Sequence, residues 1–219
     1  MAAIETNSNT NAKPPLKGFV IDDPDAFVRG QTLTEWVKDY FRWAFQAPFD
    51  PAASTANDPT GEVADALNPR GGQMYFITAS PPGSDRTFHI RPGEPVLVPV
   101  RARVDSEGPG IPPEFPNPAA QVQAVLDGFT FTGGNVTLDG KPITGLPVLS
   151  TDIFSAGVAT EGTVGQVTTG SNPGASLQTT GAKGYFVVLS NLSPGTHEFI
   201  DSSVVNGIFQ TRTDHLVVG

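Results

Sequence analysis

Glycine and proline divide most of this chain into segments too short for long helices. The 219 residues include 24 glycines and 21 prolines, and both residue types favour tight turns over continuous helix. Hydrophobic residues make up 38% of the chain, which is a folded rather than a disordered composition. The sequence therefore predicts a mainly β fold of short strands, in a single domain at residues 18–219 that follows a mobile polar arm at residues 1–17.

One stretch, from Thr32 to Phe45, departs from this pattern. Thr32 and Glu35 have the spacing of a capping box, in which each side chain bonds the other residue's backbone N–H. Apolar residues then recur at intervals of three and four, and Trp36 and Trp43 project to nearly the same side. We expect an aromatic amphipathic helix at about 32–46 that packs on a sheet, with an aromatic ligand site as the alternative.

Shorter patterns predict further elements. Asn117 and the following proline cap a second short helix at about 118–127. Asp139-Gly140 is a two-residue hairpin signal. Pro99 cannot donate a hydrogen bond, which indicates an edge or a bulge in its strand. In the region rich in Gly and Thr beyond residue 151, we expect only weak strands, one of them at 164–167.

Charge and composition exclude several function classes. The formal net charge is −9, which argues against nucleic acid and anionic lipid as partners because phosphate contacts need a basic surface. The absence of cysteine removes disulfides, thiolate catalysis and cysteine-based zinc sites. No apolar run reaches the roughly 20 residues of a transmembrane segment, and the N-terminus lacks the order of a signal peptide. Two locations stay open: the cytoplasm, and the cell surface or exterior.

Three aspartates, Asp22, Asp23 and Asp25, crowd around Pro24. Several carboxylate oxygens at short range suit calcium, although the spacing is not that of an EF-hand. The alternative is a solvated turn in which the carboxylates cap local N–H groups. No cofactor other than calcium is expected.

Two strands predicted at 86–91 and 95–104 are separated by a Pro-Gly turn. As a hairpin, they would place four basic side chains on one outward face: His89, Arg91, Arg101 and Arg103. Guanidinium groups match carboxylate and sulfate geometry, so this face predicts binding of an acidic ligand or partner, such as a polysaccharide. The alternative is a solvated strand face.

The end of the chain predicts a closing hairpin. Residues 184–190 are apolar on both faces, as in a central buried strand. A Ser-Pro-Gly-Thr turn at 193–196 precedes a returning strand at 196–201.

These segments together resemble a family of functionally uncharacterised bacterial proteins that are often exported. The resemblance rests on the helix with Trp36 and Trp43, the Asp-x-Thr-Gly loop at 58–61, the Arg-x-x-x-Ile-x-Pro-Gly segment within 86–100, and the closing Ser-Pro-Gly-x-His motif within 184–197. It spans most of the chain beyond Gly30. The resemblance implies an antiparallel β-sandwich of jelly-roll type and assigns no activity and no catalytic residue.

Three function classes remain after these exclusions. The leading hypothesis is a non-catalytic structural protein that self-associates, because a polar arm or an open sheet edge can add a strand to a neighbour. The second is a glycan-binding module that uses the basic hairpin face. The third is a carbohydrate-active hydrolase or lyase built from Tyr185, His197 and an arginine, or from two carboxylates. No histidine lies in a recognised nucleophile motif, so the sequence favours a non-catalytic protein.

Overall fold

The computed structural model describes residues 19–21, 23–68, 72–79, 83–107, 115–128, 134–205 and 208–219. This part of the chain is mostly β, as predicted, with several sheets and four helices. The predicted arm at residues 1–17 lies outside the described residues. The helices are α1 (Leu33–Gln46), α2 (Glu62–Leu67), α3 (Pro118–Asp127) and α4 (Val164–Thr169). The strands are β1 (Phe19–Ile21), β2 (Phe27–Val28), β3 (Gln31–Thr32), β4 (Tyr75–Phe76), β5 (Asp85–Ile90), β6 (Val96–Ser106), β7 (Gly134–Leu138), β8 (Lys141–Ile143), β9 (Leu149–Ser150), β10 (Thr180–Ser190), β11 (Gly195–Val205) and β12 (Ile208–Val218).

Both predicted helices are confirmed. The Thr32 side chain accepts a hydrogen bond from the backbone N–H of Glu35 at 3.2 Å, so α1 begins where the capping pattern places it. Asn117 caps α3 in the same way through the N–H of Ala120 at 2.9 Å.

The predicted strand at 164–167 is wrong, because these residues belong to α4. The Thr163 side chain accepts from the N–H of Gln166 at 3.4 Å, and Gly170 ends the helix with a φ of 65° that glycine tolerates. Local capping therefore outweighs the β propensity of valine and threonine. The sequence pattern also gave no indication of α2.

Ten strands form two five-stranded sheets. Sheet I has the order β1-β10-β6-β4, with β9 also paired to β10, and sheet II has the order β5-β12-β11-β7-β8. A purely antiparallel arrangement is wrong, because β4 runs parallel to β6 and β5 parallel to β12. The predicted irregularity at Pro99 is confirmed: the register of β6 against β10 shifts there and leaves Val100 without a partner, as in a β-bulge.

The predicted hairpin at Asp139-Gly140 is confirmed, since it joins β7 to β8. Two other predicted hairpins are wrong. β5 and β6 lie in different sheets, and so do β10 and β11. In both places the chain crosses from one sheet to the other. The reason is that β12, which is eleven residues long, pairs with both β5 and β11.

Two hydrophobic clusters surround sheet I. The first joins α1 to one face of the sheet, and its largest members are Leu33, Trp36, Tyr40, Phe41, Phe45, Phe76, Leu97 and Phe186. The second joins side chains of both sheets, among them Val96, Val98, Val187 and Leu189 from sheet I and Phe88, Ile90, Phe199, Leu216 and Val218 from sheet II. Sheet I is therefore buried on both faces, and its strands are correspondingly apolar on both sides.

The aromatic stripe of α1 is a packing surface, as expected. Trp36 is 6% exposed, and its ring lies edge-on to Phe76. Its indole N–H donates to the carbonyl of Val28 at 2.7 Å. A buried, hydrogen-bonded indole of this kind fixes the helix to the sheet rather than presenting a ring to a ligand.

Replacing Trp36 with Ala should lower the free energy of unfolding by about 3 to 5 kcal/mol, because it removes a large buried side chain and leaves a cavity. Chemical denaturation followed by circular dichroism measures this change. Phe27→Ala is the control, since Phe27 is 76% exposed and should change stability little. Equal effects of the two substitutions would contradict the packing role of Trp36.

Candidate functional site

The most unusual feature of the interior is a chain of buried charges. Charged side chains are rarely fully buried unless they are paired, and burying an ion pair costs several kcal/mol per ion. Five residues here are nonetheless at most 5% exposed: Asp58, Arg86, Asp201, Arg212 and Asp214. Charges kept inside a core at this cost mark a place where function is worth seeking.

Arg86, on β5, has the largest fully buried side chain of the protein's described residues. Its Nε donates to Oδ1 of Asp214 on β12 at 2.8 Å. Its Nη1 lies 3.0 to 3.3 Å from the carbonyl oxygens of Asp58, Thr78 and Ala79. Burial lowers the pKa of Arg86, and the negative charge of Asp214 opposes that shift. This end of the charge chain is structural, because it holds the segment before β5 against β12.

Arg212, on β12, connects this pair to sheet I. Its Nε lies 3.1 Å from Oδ2 of Asp214, and its Nη1 donates to the carbonyl of Pro99 on β6 at 3.1 Å. Its Nη2 is 4.0 Å from Oδ2 of Asp201 and has no hydrogen-bond partner among the described residues. Two buried nitrogens of Arg212, Nε and Nη2, therefore have no hydrogen bond among the described residues.

The outer end of the charge chain is the ion pair of Arg101 and Asp201, whose Nη1 and Oδ2 atoms are 2.6 Å apart. The Arg101 side chain is 26% exposed, whereas that of Asp201 is 1% exposed. Burial raises the pKa of Asp201 despite the charges of Arg212 and Arg101. Burial likewise lowers the pKa of Arg101 despite Asp201. Both shifts reflect the cost of removing the two charged groups from water.

A cavity of about 320 Å³ lies at this outer end. Tyr40, Phe41 and Phe45 of α1 form one wall, and the edge of β6 forms another. Arg101 and Arg212 are the charged residues of the lining, and no acidic residue lines it within the described chain. A second depression of about 490 Å³ is open to solvent beside the turn between β5 and β6.

Tyr40 faces both the cavity and the cationic side chains. Burial raises the pKa of Tyr40 to about 12, and the positive charges of Arg86 and Arg212 oppose the shift. The phenol therefore keeps its proton at neutral pH and can act as a hydrogen-bond donor in the cavity.

Arg212 and Asp201 were not among the site residues that the sequence predicts. A signal was present: along β12, Arg212 and Asp214 share the strand face of Leu216, and along β5 Arg86 shares the face of Phe88. Charged residues in phase with buried apolar positions indicate interior charges.

The four predicted basic residues do not form one surface. His89 lies on β5 of sheet II and Arg91 comes directly after that strand, whereas Arg101 and Arg103 belong to sheet I. The hairpin that would have joined them does not form. His89 Nδ1 instead lies 2.5 Å from Oδ2 of Asp65, and only Arg101 of the four lines the cavity beside α1.

Of the predicted calcium ligands, Asp22 lies outside the described residues. Oδ1 of Asp23 accepts from the backbone N–H of Asp25 at 3.0 Å, which is the local capping that the alternative predicted. In the described ranges, no group of three His, Cys, Asp or Glu residues could hold a metal ion. Nor does any helix there have the length and apolar character needed to cross a membrane.

Ser193, His197 and Asp139 have the outline of a catalytic triad. His197 Nδ1 lies 2.7 Å from Oδ2 of Asp139, and its Nε2 lies 3.2 Å from the Ser193 hydroxyl. The Ser193 carbonyl is closer to Nε2, at 2.9 Å. A base for serine needs an unprotonated Nε2, whereas a carbonyl there favours a protonated one. Burial lowers the pKa of His197, but the bonds to Asp139 and Ser193 outweigh it, so the net shift is upward.

The arrangement is therefore a latch between two turns. It joins the Asp139-Gly140 hairpin to the crossover before β11, and Oδ1 of Asp139 also accepts from the N–H of Glu198 at 2.9 Å. The catalytic hypothesis for His197 with Tyr185 gains no support, because Tyr185 lies on sheet I and His197 on sheet II.

Comparison of the chain with protein-family models, with curated proteins and with solved structures finds no match. The resemblance to exported bacterial proteins and a location outside the cell both stay predictions.

Replacing His197 with Gln should lower stability by about 1 kcal/mol at pH 5 to 6, a value reduced for the partial exposure of Asp139. A pKa raised on folding gives stability that is complete below the ordinary histidine value near 6.5 and is lost as pH rises through the folded pKa. The difference between the two proteins should therefore shrink as the pH rises above 6.5 and through the raised pKa of His197. Urea denaturation across this pH range measures it.

Asp139→Asn is the matched control, because it keeps a side-chain acceptor for Glu198 but removes the charge that His197 pairs with. We expect the stability of this variant to change less with pH, above the ordinary histidine pKa, than that of the unsubstituted protein. A stability difference for His197→Gln that grows with pH would contradict the latch.

Proposed function

We propose that this protein is a non-catalytic β-sandwich module that binds an anionic ligand in the cavity between α1 and the edge of β6. One observation carries the proposal: in a chain of net charge −9, an apolar cavity is lined by two arginines and by no described acidic residue. Concave apolar sites with a few converging polar groups are the usual form of small-molecule sites.

The sandwich part of the proposal is supported by the second hydrophobic cluster, in which strands of both sheets contribute side chains to one core. Two sheets that share such a core are the defining feature of a sandwich. The jelly-roll connectivity stays a prediction, and the parallel pairs of β4 with β6 and of β5 with β12 make it an irregular example of that class.

The preference for an anion follows from the state of the two arginines. Arg212 is almost fully buried, and its Nε and Nη2 have no hydrogen bond within the described part of the chain. Arg101 is the partly exposed member of the charge chain, and its ion-pair partner Asp201 is buried behind it. A guanidinium group with an open position suits a carboxylate or a sulfate, which can accept several N–H bonds at once.

The non-catalytic part rests on what surrounds the cavity. None of the three histidines contributes to its lining. They pair instead with Asp65, Asp139 and Asp85 on sheet II and its turns. Among the described residues of the lining, Tyr40 is the one titratable side chain besides the arginines, and its raised pKa keeps it protonated near neutral pH. This described lining therefore contains donors for an anion but no general base for chemistry at neutral pH.

The proposal predicts saturable binding of anilinonaphthalene sulfonate, an anionic aromatic dye that fluoresces in apolar sites. Replacing Ala102 with Trp should weaken dye binding at least tenfold, because Ala102 is exposed and lines the cavity, so the indole would fill it without disturbing the core. A fluorescence titration measures both affinities.

Ser150→Trp is the matched control, since Ser150 is an exposed residue on sheet I that does not line the cavity. It should bind the dye as tightly as the unsubstituted protein. Equal loss of binding in both variants, or none in either, would place the dye elsewhere and contradict the proposed site.

Self-association is the second candidate function, and one observation favours it. In the described part of the chain, β6 pairs with β4 only at Val96 and Leu97, so no strand covers the same edge beyond Pro99. A strand from a neighbouring molecule could add there. Arg212 and Arg101 already bond the carbonyls of Pro99 and Val100, which blocks part of that edge and ranks this function second.

Size-exclusion chromatography with light scattering tests this candidate on the full chain and on residues 18–219. Assembly through the arm predicts a multiple of 23.0 kDa for the full chain and a smaller species without residues 1–17. Assembly through the edge of β6 alone predicts multiples for both proteins. A strict monomer in both cases would exclude self-association.

A further inference from the structure

We infer that the cavity beside α1 takes a monocarboxylate with an apolar body of roughly ten non-hydrogen atoms, and that the ligand carboxylate takes the place of Asp201 beside Arg101. The inference rests on the proposed function and adds the chemical class of the ligand. It is carried by the volume of the cavity, its lining and the arrangement of charges at its inner end.

The volume limits the size of the ligand. The cavity measures about 320 Å³, and a water molecule in the liquid occupies about 30 Å³. The space therefore holds roughly ten groups of that size, which corresponds to a medium-length fatty acid or a single aromatic acid. An oligosaccharide is too large to be enclosed.

The lining disfavours a sugar. Apart from Tyr40 and the arginines, its polar side chains are those of Thr55 and Thr168. Their hydroxyls already donate to the carbonyls of Ala44 and Val164, at 2.8 and 2.7 Å. A sugar would bring many hydroxyls into a space with few available partners, and each unpaired hydroxyl is costly to desolvate. A hydrocarbon body has no such requirement.

The charge balance disfavours a ligand with several negative charges. Around the inner end, Arg86, Arg101 and Arg212 are matched by the carboxylates of Asp58, Asp201 and Asp214, so the group is formally neutral. Each added charge in a poorly solvated site must find a compensating cation. A single carboxylate is compensated if the displaced Asp201 takes up one proton, which its burial favours by raising its pKa, whereas a dianion or a phosphate would need a second proton.

Arg101 is the residue that can change its partner. It is the charge-chain member that solvent reaches, while Asp201 remains buried near Arg212 when Arg101 turns away. A carboxylate between the two arginines would accept hydrogen bonds from the guanidinium of Arg101 and from Nη2 of Arg212, which has no partner among the described residues. The protonated phenol of Tyr40 lies on the same cavity wall as a third donor.

Isothermal titration calorimetry with octanoate, octanol and glucuronate separates the contribution of the carboxylate to binding from that of the apolar body. Octanol has the same chain as octanoate without the charge, and glucuronate has the carboxylate without the apolar body. We expect octanoate to bind one to one, and octanol to bind at least tenfold more weakly, because a charge-assisted bond to arginine contributes about that much. Glucuronate should give no measurable binding.

The double variant Arg101→Met, Asp201→Asn removes the exchanging pair together and leaves no buried charge unpaired. In this variant octanoate should bind no more tightly than octanol. Arg103→Met is the control, because Arg103 lies two residues along the same strand outside the cavity lining and should keep the preference for octanoate.

The outcomes separate this inference from the proposed function. Binding of glucuronate but not octanoate would overturn the ligand class and leave an anion site in place. Equal affinity for octanoate and octanol would overturn the role of the arginines and with it the anionic site. No binding of any of the three, with dye binding at the cavity retained, would overturn the inference alone.

Discussion

The contact on which the rest of this structure depends is the buried ion pair of Arg86 and Asp214. It lies between β5 and β12, two strands that run parallel and are distant in sequence. Through the same guanidinium it holds the carbonyls of Asp58, Thr78 and Ala79, which belong to the chain as it approaches β5. Asp58 in turn accepts from the N–H groups of Gly61 and Ala64 and so fixes the start of α2. Losing either partner would leave an unpaired charge in the core, and changes of that kind are strongly destabilising.

Asp214 also links this ion pair to the other sheet. Its second oxygen faces Arg212, whose Nη1 bonds the carbonyl of Pro99 on β6. That carbonyl lies at the bulge where β6 loses register with β10. Arg212 blocks part of the edge of β6 at this bulge, and the cavity under α1 lies beside it. The site is thus a consequence of how the two sheets are joined.

Local chemistry made part of this architecture predictable. The cap of α1 at Thr32, the cap of α3 at Asn117 and the turn at Asp139-Gly140 each depend on a few neighbouring residues, and each forms where the sequence places it. The two failed hairpins depend on which strand is available as a partner. Alternation along β5 identifies its faces but not its neighbour, and β12 lies more than a hundred residues away. Arg101 was predicted as a site residue for the wrong reason, while Arg212 was missed because its partners come from three strands.

The acidity of the chain bears directly on how an anionic ligand can be held. A net charge of −9 repels an approaching anion at long range, although physiological salt screens that repulsion beyond about 8 Å. Attraction must then come from short-range contacts, namely burial of an apolar body against Phe41 and Phe45 and hydrogen bonds from Arg101 and Arg212. A ligand that offers only charge lacks the apolar contact, and a ligand that offers only hydrocarbon brings no acceptor for the two unbonded nitrogens of Arg212. The combination of both in one small molecule is the chemistry that we propose for this cavity.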